Sequence, residues 1–222
     1  MGMTKRYFDV FWSVLGLAVL SPLLLVAGLI VKAEDGGPVF FRQTRVGYRG
    51  RPFRIWKFRT MALSVASGGL QLTVGDDRRV TRAGAWLRRF KLDELPQLFN
   101  VVAGEMSLVG PRPELPCYVA RYTAAERKVL ELIPGITGVA SLWYRNESQM
   151  LGRAVDPERT YVEDFMPAKI RLSLAYAAGA TVWTDFRVVA TTLRRIFLPA
   201  SGMLTADARP AAHGTPDRTV AR

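Results

Sequence analysis

The chain has 222 residues, a formal net charge of +12, one cysteine and one histidine. That length supports a single well-buried core, and that charge attracts phosphate, whether in a nucleotide, a nucleic acid or an anionic membrane leaflet. Cys117 alone excludes an intramolecular disulfide, and His213, in an Ala/Pro/Arg/Thr-rich C-terminal stretch, offers no plausible base for a Ser/His/Asp or Cys/His site and too few soft ligands for zinc, so if there is catalysis it falls to carboxylates, and any metal should be a hard ion such as Mg²⁺.

Residues 1–7 are short and basic through Lys5 and Arg6, and Phe8 to Val31 is almost wholly apolar, long enough by the usual count of about 20 residues to cross a bilayer. Ser21-Pro22 interrupts it. Pro22 removes a helical hydrogen bond and clashes with the carbonyl of Ala18, so a bend is expected, and the Ser21 hydroxyl can occupy a carbonyl that the proline frees. Both flanks are basic, with Lys32, Arg42, Arg45 and Arg49 following, and positive flanks favour the cytoplasmic face. A re-entrant helix hairpin, entering one leaflet and returning, satisfies both ends. A spanning signal anchor would place everything after Lys32 outside the cytoplasm, and a cleaved signal peptide lacks its small-residue site. The organisation expected is a re-entrant membrane helix over 1–35, a membrane-associated catalytic domain over 36–198 and a disordered tail over 199–222.

Asp35-Gly36-Gly37-Pro38 reads as a turn, Val39-Phe40-Phe41 as a short strand, and 45–52 as a hairpin turn. Phe53-Arg54-Ile55-Trp56-Lys57-Phe58-Arg59 alternates apolar with basic residues as a half-buried strand does; its cations suit a solvated face, a phosphate or a membrane surface. The Ser/Gly-rich 64–76 segment is a candidate lid. A helix then carries Trp86, Leu87 and Phe90 on one side and Arg82, Arg88, Arg89 and Lys91 on others, which suits the headgroup zone.

Asp93 and Glu94 stand where the next helix should begin, with Pro96 in its first turn and Leu95, Leu98, Phe99 and Val102 at helical spacing until Gly104 closes it. Acids at a helix start usually only cap it. Gly110-Pro111-Arg112-Pro113 turns the chain and fixes one cation in a stiff frame. Residues 115–133 read as one amphipathic helix, 136–146 as a strand or extended run delivering Arg145, and about 158–178 and 183–197 as two further helices, the second capped at Thr184-Asp185. No internal repeat is visible.

Six collinear blocks carry a resemblance: Ser21-Pro22 within the apolar stretch; Gly37-Pro38-Val39-Phe40-Phe41-Arg42-Gln43; Lys57-Phe58-Arg59-Thr60-Met61; Leu92-Asp93-Glu94-Leu95-Pro96-Gln97-Leu98; Met106 to Pro113; and Pro134-Gly135-Ile136-Thr137-Gly138. Over roughly residues 5–197 the chain resembles the bacterial sugar transferase family, and within it the small monotopic phosphoglycosyl transferases of the bacterial inner membrane's cytoplasmic face. The fold implied is mixed α/β and mostly helical, with an N-terminal re-entrant membrane helix hairpin, interfacial amphipathic helices and short strands.

The resemblance implies that Asp93 attacks a UDP-sugar, expels UMP and holds the phospho-sugar until a polyprenyl phosphate such as undecaprenyl phosphate takes it, and that Glu94 is a Mg²⁺ ligand. This step would begin exopolysaccharide, O-antigen or glycoprotein-glycan assembly. An Asp of ordinary pKa near 4 is ionised at neutral pH and needs no base, whereas a diphosphate needs its charge neutralised. Lys57, Arg59, Arg88, Arg112 and Arg145 are the cations placed around the two phosphate substrates. The partners implied are the UDP-sugar, the polyprenyl phosphate and inner-membrane lipid, without nucleic acid; the oligomeric state, homodimer included, stays open. The chain departs from the family pattern at Ser173, where an acid is usual, at Lys91 and at Leu142-Trp143-Tyr144, and Asp185, which serves equally as a cap, is given no chemistry. The competing readings are a basic non-enzymatic module binding membrane or nucleic acid, and a membrane-anchored scaffold whose Asp-Glu only caps a helix.

Overall fold

A computed structural model describes residues 2–62 and 77–198; the candidate lid at 64–76 and the tail with His213 lie outside the described residues. The fold is mostly helical and mixed α/β. Helix α1, Met3–Asp35, runs for 33 residues with Pro22 inside it, and Gly36 at φ +70° ends it. The Ser21 hydroxyl donates to Ala18 O at 2.8 Å, occupying the carbonyl that Pro22 blocks from ordinary helical bonding. One stripe of α1 is buried at Asp9, Ser13, Ala27 and Val31, while Phe11, Trp12, Val19, Leu25, Val26 and Leu29 are exposed.

Both ends of α1 are fastened to the rest of the chain. At the start, Lys5 pairs with Asp185, Arg6 donates to the carbonyls of Val101 and Val102 at 2.6 and 3.0 Å, and Asp9 accepts from the Leu108 N–H at 3.3 Å. At the other end, Asp35 pairs with Arg59, and Ala27 and Val31 pack on Phe58 and Leu87.

Strands β1 (Phe40–Val46) and β2 (Pro52–Phe58) form an antiparallel pair in which Phe40 faces Phe58 and Arg45 faces Phe53. The first strand is longer than the sequence suggests, because the chain turns at 47–51, with Arg49 and Gly50 at positive φ. Thr81 caps α2 (Arg82–Arg89) by accepting from Gly84 N at 3.0 Å. Trp86 and Leu87, read as one face, separate: a helix turns about 100° per residue, so Leu87 is fully buried while Trp86 is exposed.

Asp93 and Glu94 fall in a tight 3₁₀ turn, Leu92–Gln97, rather than at an α-helix start; it leads into α3, Leu98–Ala103, and Gly104 at φ +87° stops that helix. Asn100, fully buried, accepts from Trp56 N at 3.0 Å and donates to Arg54 O at 3.0 Å, fixing α3 to β2. Strands β3 (Ser107–Val109) and β4 (Gly135–Thr137) are parallel neighbours. A Cβ on Gly135 would sit 2.1 Å from Gly110 N, so the pair closes only without that side chain.

The segment 115–133 is not one helix. It divides into α4, Pro116–Val119, and a 3₁₀ turn over Glu126–Glu131. Thr123 and Glu126 form a reciprocal cap, with Glu126 Oε2 accepting from Thr123 N at 2.8 Å and Thr123 Oγ1 accepting from Glu126 N at 3.3 Å, and this restarts the turn. The 136–146 run is likewise strand only to Thr137, and α5 (Val139–Trp143) and α6 (Glu147–Leu151) follow. Helix α7 (Pro157–Thr160) passes through a π turn at Tyr161–Phe165 into α8 (Met166–Ala178), and α9 covers Val182–Phe197. Thr181 and Thr184 form the α9 capping box, so Asp185 is buried in the first turn facing Lys5 rather than capping. The main core gathers Leu115, Tyr118, Tyr122, Leu151, Phe165 and Ile170.

Candidate active site

The Leu92–Gln97 turn, the end of β2 and the Gly110–Pro113 turn converge on a cavity of about 1650 Å³. Lys91, in the left-handed region at φ 56°, precedes the turn, and Asp93 and Glu94 line the cavity. Lys57 donates from Nζ to Glu94 Oε1 at 2.8 Å; Arg112 donates from Nη2 to the same oxygen at 2.7 Å and from Nη1 to Oε2 at 3.3 Å. Burial opposes the Glu94 charge, but Arg112 and Lys57 outweigh it and hold that carboxyl well below the usual range.

Asp93 behaves differently. It is 7% exposed, and its buried Oδ1 has no hydrogen-bond partner. Burial, then the neighbouring Glu94 charge, raise its pKa, while Lys57, Lys91 and Arg88 oppose the rise. The ordinary pKa expected from the sequence is therefore corrected upward, because the sequence does not show burial. The other carboxylates of the cavity are engaged: Asp77 with Arg79, Glu94 with Lys57 and Arg112, Glu114 with Tyr161 and Glu147 with Lys169. Among the described residues, Asp93 is the cavity carboxylate held by no hydrogen bond or ion pair.

Of the cations named from the sequence, Lys57 and Arg112 meet at Glu94. Arg88 lines the cavity within electrostatic range of Asp93, its Nε donating to Thr60 Oγ1 at 2.9 Å. Arg59 also reaches the cavity wall, but its guanidinium is committed to Asp35 and to Pro38 O at 2.7 Å, which ties β2 to the end of α1. Arg145 stands on a wall formed with α9, donating to Arg195 O at 2.5 Å. Ser21 and Pro22 lie in the middle of α1. Ser173 lines the cavity and donates back to Lys169 O at 2.8 Å, as a helical serine does when it has no outside acceptor.

Sequence reasoning missed Arg45, Glu114, Tyr161, Lys169 and Glu147, which line the same cavity. Glu114 directly follows Gly110-Pro111-Arg112-Pro113, the one signal that would have drawn attention to it.

The chain belongs to the bacterial sugar transferase family, whose family model matches residues 1–199. It is 36% identical over 201 residues to the UDP-glucose:undecaprenyl-phosphate glucose-1-phosphate transferase of Klebsiella pneumoniae, covering 89% of this chain and 41% of that protein. It is 36% identical over 197 residues to the UDP-N-acetylgalactosamine-undecaprenyl-phosphate N-acetylgalactosaminephosphotransferase of Aeromonas hydrophila, covering 86% of this chain and 43% of that protein. The chain thus spans about two fifths of the length of these relatives. The sugar transferase EpsL of Bacillus subtilis is 36% identical over 194 residues, with 87% of each chain covered.

Proposed function

We propose that the chain transfers a sugar-1-phosphate from a UDP-sugar to a polyprenyl phosphate, releasing UMP, through a phospho-sugar held on Asp93. The observation that carries this reading is the buried, unpaired Asp93 carboxylate in a cavity whose other acids are neutralised. A raised pKa makes a carboxylate a better nucleophile, and nearby Lys57, Lys91 and Arg88 favour its ionised form. An Asp93 oxygen forms a bond to the sugar-bearing phosphorus as the bond from that phosphorus to the bridging oxygen breaks, and UMP leaves with the electron pair. An oxygen of the acceptor phosphate then attacks the same phosphorus and returns the carboxylate. Neither step needs a base. Lys57, Arg112 and Arg88 supply the positive wall for the diphosphate.

The donor set fits Mg²⁺. Two neighbouring carboxylates, one with a free buried oxygen, suit a hard ion that binds through one or two carboxylates and substrate phosphates. Glu94, next to Asp93, would hold it by exchanging one of its present bonds to Lys57 or Arg112 for the ion, which would neutralise phosphate charge.

The membrane reading rests on α1. Its exposed side is apolar, and both of its ends are fastened to one body. A straight helix of this length extends about 50 Å, and spanning a hydrocarbon core of about 30 Å would put its ends on opposite sides. A helix dipping into one leaflet keeps them together, with basic flanks on the cytoplasmic face. There a soluble nucleotide and a lipid phosphate can meet. The sugar-phosphate product would start a surface or glycoprotein glycan.

The test incubates the purified full chain with UDP-sugars and Mg²⁺, without lipid, and reads intact mass and UMP. An adduct of one sugar-phosphate, absent in Asp93→Asn, is expected. Full transfer by Asp93→Asn would overturn the assignment.

A further inference from the structure

The wall of the cavity away from Lys57 is a continuous polar relay. Arg45 Nη1 lies 3.6 Å from Glu114 Oε1, and Tyr161 donates its hydroxyl hydrogen to Glu114 Oε2. Lys169 Nζ donates to the Tyr161 oxygen at 3.2 Å and to both Glu147 oxygens at 3.0 and 3.1 Å. These residues come from β1, the turn after β3, the π turn, α8 and α6, so the fold brings them together from distant parts of the chain. Arg112 joins this wall to the Asp93–Glu94 site: it is hydrogen-bonded to Glu94 and feels the charges of Glu147 and Glu114.

The two walls differ in charge. The Lys57–Arg112–Arg88 side is cationic and suits phosphate. The relay sets two cations and a phenol against two carboxylates, so it has no net charge but alternates donors and acceptors. Such a surface suits a neutral, hydroxyl-rich ring better than a phosphate. It keeps capacity for a ligand: the buried Arg45 Nε has no partner, and the Glu147 side chain is 24% exposed at the cavity.

We infer that the Arg45–Glu114–Tyr161–Lys169–Glu147 wall binds the sugar ring of the nucleotide-sugar and discriminates among its hydroxyl epimers. This rests on the function proposed above and assigns a part of the site that reading leaves open. Relatives of equal identity carry names with different sugars, glucose in one and N-acetylgalactosamine in the other, so overall likeness does not fix the sugar. A site that hydrogen-bonds a hydroxyl through charged groups strongly rejects the epimer that leaves those groups unpaired.

The experiment measures kcat/KM for UMP release from UDP-glucose, UDP-galactose, UDP-N-acetylglucosamine and UDP-N-acetylgalactosamine, with the full chain in detergent, Mg²⁺ and saturating polyprenyl phosphate as the acceptor that turns the enzyme over. Glu147→Gln, close to isosteric, is expected to compress the ratio between the best sugar and its epimer by about tenfold, the loss of one charge-assisted hydrogen bond. The UMP inhibition constant should stay where it was. Tyr161→Phe, which removes only a hydroxyl, provides the same readout if Glu147→Gln does not yield folded protein. An equal loss on every sugar with the ranking kept would show a merely structural wall and overturn the inference. A weakened UMP inhibition constant would assign the wall to uridine and overturn it as well. If the unaltered chain releases UMP from none of the sugars, the proposed function falls and takes this inference with it; if it releases UMP and the variants keep the ranking, only this inference falls.

Discussion

A carboxylate that folding removes from water without giving it a partner destabilises the fold while it is ionised, and Asp93 is such a group. Its folded pKa lies above its unfolded value, so the penalty is absent below the unfolded value near 4, grows as pH rises, and is complete above the folded value. Asp93→Asn should therefore melt higher than the unaltered chain at neutral pH in metal-free detergent, by about 2–4 °C for each kcal/mol relieved, and lose that advantage toward pH 4. An equal or lower neutral-pH melting temperature would contradict the burial argument. Lys57 belongs to the opposite case, since its ammonium neutralises a buried Glu94. Lys57→Met should cost about 3 kcal/mol, the low end for breaking a buried pair because Arg112 remains, and Lys57→Arg should recover most of it in the same melting assay. The Asp93-Glu94 pair and its two main cations were legible because each lies in a short block. Arg45, Glu114, Tyr161, Lys169 and Glu147 were not, because nothing local announces contacts between residues so far apart in the chain.

At the scale of elements, close backbone approach and end-capping decide what local patterning leaves open. Gly104 was readable as a stop and the 53–59 alternation as a strand, because both signals are local. Thr123-Ala124-Ala125-Glu126 was passed over within an amphipathic pattern, although its reciprocal cap breaks the helix there. The short parallel pair β3–β4 depends on two glycines, and Gly135→Ala would drive a methyl carbon to 2.1 Å from Gly110 N. The strands would have to part, at a cost of about 1–3 kcal/mol or more, and the Gly110–Pro113 turn that holds Arg112 would move with them. Gly135→Ala should therefore lose both melting temperature and UMP release; a fully active variant would show that the turn is held by other contacts. The same logic applies to the pair that fastens the start of α1 to α9: Lys5→Met strands a buried Asp185 with Tyr176 as its hydrogen-bond donor, and should lower stability by about 3 kcal/mol.

For the molecule as a whole, the arrangement of α1 makes a topological prediction. In a Cys117→Ser background, single cysteines at Gly2 and Asp156 should both react with an impermeant thiol reagent in inside-out vesicles, and neither in right-side-out ones. Opposite sidedness would restore the spanning helix. The apolar helix itself was legible from hydropathy, but the extent of its attachment was not, because hydropathy records that a helix is apolar and not which of its residues face protein. Ala27 and Val31 form one wall of a core completed by Phe58 and Leu87, and Lys5 is the counter-charge to an aspartate of α9. The division at residue 35 is thus a boundary in hydropathy that the packing crosses. Trimming the chain back to 36–198 in search of a water-soluble surrogate would strip off that wall and that counter-ion together, and should yield aggregate rather than a smaller enzyme. Anyone redesigning this protein has to treat the apolar N-terminal helix as an interior part and carry it along.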